Sequence, residues 1–102
     1  MLYEWDERKS RSNLKKHGIS FADAALVFDD PRCLIYPDRT DETGEQRWHA
    51  IGAISIESVY SAVLLVVHVY RENINGEEIV RIISARAPQN HELRRYQEPE
   101  TD

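Results

Sequence analysis

A chain of 102 residues, 41% hydrophobic and 30% charged, has the composition of one ordinary globular domain with a single modest core, which excludes a disordered polymer. Its net charge of −5 argues against a protein that binds nucleic acid with its whole surface, because phosphate binding leaves a basic footprint. No apolar run approaches a membrane span and the opening MLYEWDERK lacks the apolar stretch of a secretory signal, so a cytoplasmic location is expected. Cys33 is the single cysteine, which leaves no internal disulfide and no thiol cluster for a metal.

Leu2–Trp5 (LYEW) reads as a short strand, and Asp6 as the N-cap of a helix over 7–17 that Gly18 closes. Lys15, Lys16 and His17 fall in its last turn, where a helix's unpaired carbonyls favour cations. Leu14 is its one large aliphatic, so most of this helix is predicted to face water or a ligand. Ser20 caps a second helix in which Phe21, Ala25 and Phe28 fall at i, i+4 and i+7, with Asp23 placed for a capping box, and Asp29-Asp30-Pro31 ends it. The period then changes. Residues 33–37 (CLIYP) form a short strand, 38–46 a polar loop, 47–54 (RWHAIGAI) a second strand, and 60–70 (YSAVLLVVHVY) a nearly continuous apolar run suited to the centre of a sheet. Asn75-Gly76 marks a tight hairpin, from which 78–86 (EIVRIISAR) returns. Pro88 opens a C-terminal helix over 88–96, with Leu93 and Tyr96 on one side. The order is β-α-α-β-β-β-β-α. This is an α+β fold, an antiparallel sheet with N-terminal helices and a C-terminal helix, forming a single domain over 1–97 with a short acidic tail at 98–102.

The distribution of charge says more than its sum. Residues 6–17 carry Arg8, Lys9, Arg11, Lys15 and Lys16 against Asp6 and Glu7, and residues 79–96 carry Arg81, Arg86, Arg94 and Arg95 against Glu92. Both stretches are net basic, and they would form a cationic patch on an acidic protein if the fold brought them to one face. Arg47 and His49 point together because alternate strand residues share a face. Arg81 lies in an apolar strand, where an arginine must reach an acid, solvent or an anion; Glu45, Glu78 or an acid on a helix are the simplest partners. His68, inside the apolar run, reads as a hydrogen-bonded core or edge histidine rather than a catalyst. The four histidines and one cysteine show no metal-ligand spacing, and there is no Gly-rich phosphate loop and no Gly-x-Ser-x-Gly, so no cofactor and no metal are expected. What remains is Lys16, His17, Arg47, Arg81, Arg86 and Tyr96, a constellation suited to an anionic substrate whose reaction develops more negative charge. Metal-free RNA cleavage is such a reaction: a base takes the 2′-OH proton, the oxygen attacks phosphorus, cations stabilise the phosphorane and an acid protonates the leaving oxygen.

The blocks YEWDERKSRSNLKKHGISFADAALVFDDP, D…GEQRWHAIG and RIISARAP…ELRRY resemble the BrnT family of toxins from bacterial toxin–antitoxin modules over nearly the whole chain. The long pattern EWDxxKxxxNxxKHGxxFxxA is filled by Glu4, Trp5, Asp6, Lys9, Asn13, Lys16, His17, Gly18, Phe21 and Ala24. The resemblance implies a RelE-like fold and an endoribonuclease that arrests growth by degrading RNA. It also implies a BrnA-type antitoxin that joins a ribbon-helix-helix DNA-binding domain to a toxin-gripping segment, acting on operator DNA as a dimer of toxin–antitoxin units. The family pattern lands on Lys16, His17, Arg47, Arg81 and Arg86 as active-site residues, with Tyr96 in the place of a late aromatic. The competing reading is a non-catalytic interaction module that binds a DNA-binding partner and modulates repression of the operon.

Overall fold

The computed structural model describes residues 1–98, so the acidic tail expected at 98–102 lies, beyond Glu98, outside the described residues. Five strands form one sheet in the order β1-β5-β4-β3-β2: β1 (Leu2–Glu4), β2 (Leu34–Thr40), β3 (Gln46–Ile56), β4 (Tyr60–Glu72) and β5 (Glu78–Arg86). The helices are α1 (Glu7–His17), α2 (Phe21–Ala24), which runs directly into a 3₁₀ segment (Ala25–Asp29), and α3 (Asn90–Gln97). The architecture is α+β in the expected order, with one refinement. β1 pairs parallel with β5, Leu2 opposite Ile79 and Glu4 opposite Arg81, while the other ladders are antiparallel, so the sheet is mixed.

Local chemistry sets the element ends. Asp6 accepts from the backbone N–H groups of Arg8 (2.8 Å) and Lys9 (3.2 Å), and Gly18, at φ 74°, closes α1 in the left-handed conformation that favours glycine. Because α2 tightens into the 3₁₀ segment, its buried residues are Phe21, Ala24 and Val27 at steps of three, and Ala25 and Phe28 are only half-buried. The loop expected at 38–46 shrinks because β2 and β3 extend into it and Asp41 organises the remaining turn, accepting from Thr43 N (2.8 Å) and Glu45 N (3.0 Å). α3 starts later than Pro88: Gln89 is its N-cap, and Gln89 N donates to Glu92 (2.8 Å) in a capping box.

One face of the sheet carries the core. Ala50, Ile54, Leu64, Val66, Val80, Ile82 and Ala85 pack there with Ile19, Phe21, Ala24 and Val27. Gly52 is required beneath Val27, because a Cβ at that position would sit 2.8 Å from the Val27 side chain and from its carbonyl oxygen. Next to this cluster Tyr3, Phe28, His68, Tyr70 and Trp48 form a chain of aromatic contacts at centroid distances of 4.9–5.7 Å. His68 is fully buried, and burial pushes its imidazole down to about 4. The core reading of His68 therefore holds.

Where β1 ends, β5 continues without a strand on that side. Asn13 of α1 fills the gap: its Nδ2 donates to the carbonyls of Ala85 (2.8 Å) and Ile19 (2.9 Å), and its Oδ1 accepts from Ala85 N (3.2 Å). A buried polar residue in a helix is thus fully partnered by backbone.

Candidate functional site

The opposite face of the sheet carries the polar side chains, set around a buried apolar row of Ile51, Leu65 and Val69. The β2–β3 ladder sets Tyr36 opposite His49 and Leu34 opposite Ile51, and the next ladders continue these rows as His49–Val67–Ser84 and Ile51–Leu65–Arg86. Arg81 pairs with Val69, which shares a face with Val67 and Leu65, so Arg81, Ser84 and Arg86 all look the same way. This would be impossible in a regular strand, where residues five apart face oppositely. An irregularity in the β4–β5 ladder, where Val67 pairs Ser84 but His68 pairs Ile82, inserts one residue and turns the arginines together.

α3 lies across one end of this face. Arg86 makes a two-pronged ion pair with Glu92, Nη1 donating to Oε1 (2.7 Å) and Nη2 to Oε2 (3.0 Å). The guanidinium holds the Glu92 carboxyl down to about 2, and the carboxylate raises Arg86 in return. One turn on, the Arg95 guanidinium sits 4.0 Å from the Tyr36 ring centroid. His49 is held between two β2 side chains, its Nε2 3.1 Å from Asp38 Oδ2 and its Nδ1 3.4 Å from the Tyr36 hydroxyl. His49, Asp38, Tyr36, Glu92 and Arg95 were not among the residues the sequence singled out as a site. The signal for His49 was its position two residues after Arg47; its partners come from other elements and had none.

Beyond α3 the face opens. Arg47 points the same way as His49, with Nε 4.0 Å from Asp41 Oδ2 and no hydrogen-bond partner for that buried N–H among the described residues. It borders a cleft of about 460 Å³ that Arg39, Thr40, Asp41, Glu42 and Thr43 also line. Arg81 donates to Glu4 at 2.9 Å; its partner is therefore an acid of the neighbouring strand β1 rather than Glu45, Glu78 or a helix residue. Lys16 and His17 are exposed at the end of α1 and, with Lys9, Ser12 and Asn13, line a cleft of about 300 Å³ that reaches Ile83 and Ser84. Ser84 precedes Arg86 by two residues, roughly 7 Å along the strand. Tyr96 is set apart: its hydroxyl donates to Asp30, and burial first, then that carboxylate, raises its phenol above the ordinary value. The structure thus gathers Arg47, Arg81 and Arg86 on one face with Lys16 and His17 at its rim, and ties Tyr96 to the loop before β2. Among the described residues no three His, Cys, Asp or Glu side chains are grouped to hold a metal. Burial raises the Cys33 thiol to about 11, which keeps it protonated at neutral pH.

A family model described as the ribonuclease toxin, BrnT, of type II toxin–antitoxin systems matches residues 5–92. The chain belongs to this family. No curated protein matches it closely enough to be counted. Membership makes the protein a ribonuclease toxin, with RNA as its target and a protein antitoxin as its partner. The BrnT match takes in α1, the whole of β2 to β5 and the start of α3, so every side chain of the polar face from Tyr36 to Glu92 lies within it. No helix among the described residues is long and apolar enough to cross a membrane.

Proposed function

We propose that the protein is a metal-independent endoribonuclease of RelE-like ancestry that acts in the cytoplasm and cleaves RNA by attack of the ribose 2′-OH on the adjacent phosphorus. The observation that carries this reading is the placement of Arg47, Arg81 and Arg86 on one sheet face, with Lys16 and His17 lining a cleft that reaches Ser84 of the same face. Guanidinium groups placed where charge develops stabilise a phosphorane, and removing one such group typically costs about two to three decades of rate. Proton transfer falls to imidazole: His17 is exposed at the rim, and His49 is oriented by Asp38 on the sheet face. Neutralisation is by a BrnA-type ribbon-helix-helix antitoxin that covers this face in a dimer of toxin–antitoxin units and carries the only contact with operator DNA. Tyr96 serves as an anchor of α3 in this scheme.

The test is cleavage of single-stranded RNA by the purified protein in EDTA. Fragments ending in a 2′,3′-cyclic phosphate are expected. Cleavage abolished by EDTA, or fragments with 5′-phosphates, would remove the 2′-OH mechanism. No cleavage by a folded protein that still binds its antitoxin would favour the non-catalytic module. A stable toxin–antitoxin complex that cuts RNA at the free rate would rule out occlusion.

A further inference from the structure

Arg86 has five N–H donors, and the structure accounts for three. Nη1 donates to Glu92 Oε1 (2.7 Å) and to the Ala87 carbonyl (3.3 Å), and Nη2 donates one hydrogen to Glu92 Oε2 (3.0 Å). The Nε–H and the second Nη2–H have no protein partner among the described residues. They lie on the same side edge of the planar guanidinium, which is a parallel fork of the kind that grips phosphate. The Arg86 side chain is 31% exposed, whereas that of Glu92 is 7% exposed, so solvent reaches the arginine and hardly the acid.

Glu92 is itself fixed. Its Oε1 also accepts from Gln89 N (2.8 Å), the first turn of α3, so neither partner of the pair can rotate independently. Arg81 is the contrast: it meets Glu4 through a single contact, and the Glu4 side chain is 39% exposed. An arriving phosphate cannot take the place of Glu92 at Arg86 without stranding a nearly buried carboxylate, which is among the costlier changes in a protein. It can add to the free edge at no such cost.

We propose that Glu92 is a positioning residue, locking Arg86 so that its Nε–Nη2 edge receives a phosphate of the RNA; this rests on the ribonuclease reading above. α3 thereby acts on the reaction through one carboxylate, without itself touching substrate.

The experiment is a double-mutant cycle on RNA cleavage at saturating substrate, with thermal melting alongside. Glu92→Ala is expected to lower the maximal rate about tenfold or more and Arg86→Ala about a hundredfold, with the double variant no slower than Arg86→Ala alone, because Glu92 works only through Arg86. Glu92→Gln, which keeps the shape and the cap, falls between wild type and Glu92→Ala. The ¹⁵N–¹H signal of Arg86 Nε in the wild-type protein is followed during titration with an RNA oligonucleotide bearing 2′-deoxyriboses, and is expected to move; this reading needs no variant to fold. Multiplicative losses in the double variant, full activity in folded Glu92→Ala, faster cleavage by the Glu92 variants, or an Nε signal unmoved by RNA would each overturn the proposal. Absence of cleavage by wild type would sink the ribonuclease reading instead, and the Nε titration would still decide whether Arg86 takes a phosphate.

Discussion

From the same strands, the helix-covered face of the sheet presents Ala50, Ile54, Leu64, Val66, Val80, Ile82 and Ala85 in one apolar cluster, whereas the opposite face presents Tyr36, Arg47, His49, Arg81, Ser84 and Arg86. Stability is invested in the first, through sealed packing that tolerates one neutral histidine. Charge is concentrated on the second, where α3 covers only one end and several arginines retain free donors. The difference teaches that a chain with net charge −5 can gather arginines on one sheet face around a small buried row of Ile51, Leu65 and Val69, each guanidinium beside an acid, because period-two alternation sets them apart from the main core. Substitutions on the two faces should therefore fall into different classes of effect.

The largest effect is expected on the sealed face, from pH. His68 titrates near 4 in the folded protein, against an ordinary value of 6.5. As pH falls, the unfolded chain binds the proton first, so the stability contributed by the neutral ring is complete above 6.5 and is lost through that value down to about 4. The total is on the order of 3 kcal/mol. Urea unfolding at pH 7 and pH 4.5 measures it, and His68→Phe should flatten the slope; equal slopes in both proteins would place the titration elsewhere. Gly52→Ala comes next, forcing a methyl to within 2.8 Å of Val27 and costing about 2 kcal/mol in the same assay, in the range of overpacked cores.

On the arginine-bearing face the expectation reverses. Arg81→Gln leaves the melting temperature within about a degree or two, since a partly exposed ion pair contributes roughly 0–1 kcal/mol, but it lowers RNA affinity and reduces the slope of log K against log salt by about 0.7. An unchanged slope would mean that Arg81 serves only Glu4. The smallest effect lies on neither face. Glu57 and Ser58 turn the β3–β4 hairpin with φ of 52° and 58°, a conformation suited to Asn-Gly. Glu57→Asn combined with Ser58→Gly should raise stability by about 0.5–1 kcal/mol, seen as a small rise in melting temperature with RNA cleavage untouched.

Most of the fold was legible in the sequence because each element carries its own local signal: Asp6 and Gly18 bracket α1, and the run from Tyr60 to Tyr70 marks a central strand. The cationic candidates were legible as residue types. Their geometry was not. Arg81 and Arg86 share a face only because of the irregular pairing opposite Val67 and His68, which depends on the register of a neighbouring strand. The ion pairs of the candidate site, Arg86 with Glu92, His49 with Asp38 and Arg81 with Glu4, join positions whose partnership follows from packing and not from any spacing. His49 in particular is unremarkable until Tyr36 and Asp38 arrive beside it.

The Asn13 side chain has one more consequence, for how this sheet meets other chains. A primary amide has the same donor and acceptor as a peptide group, and by taking both the N–H and the C=O of Ala85 it imitates one residue of a missing strand. The β5 side is thereby closed by three residues of β1 and then by a single side chain. On that side an extended segment from another molecule meets only the three-residue outer edge of β1, whereas β2 offers a seven-residue edge, where Pro37 already withholds one N–H. The longer open margin of the sheet is therefore the one bordering Tyr36 and Asp38.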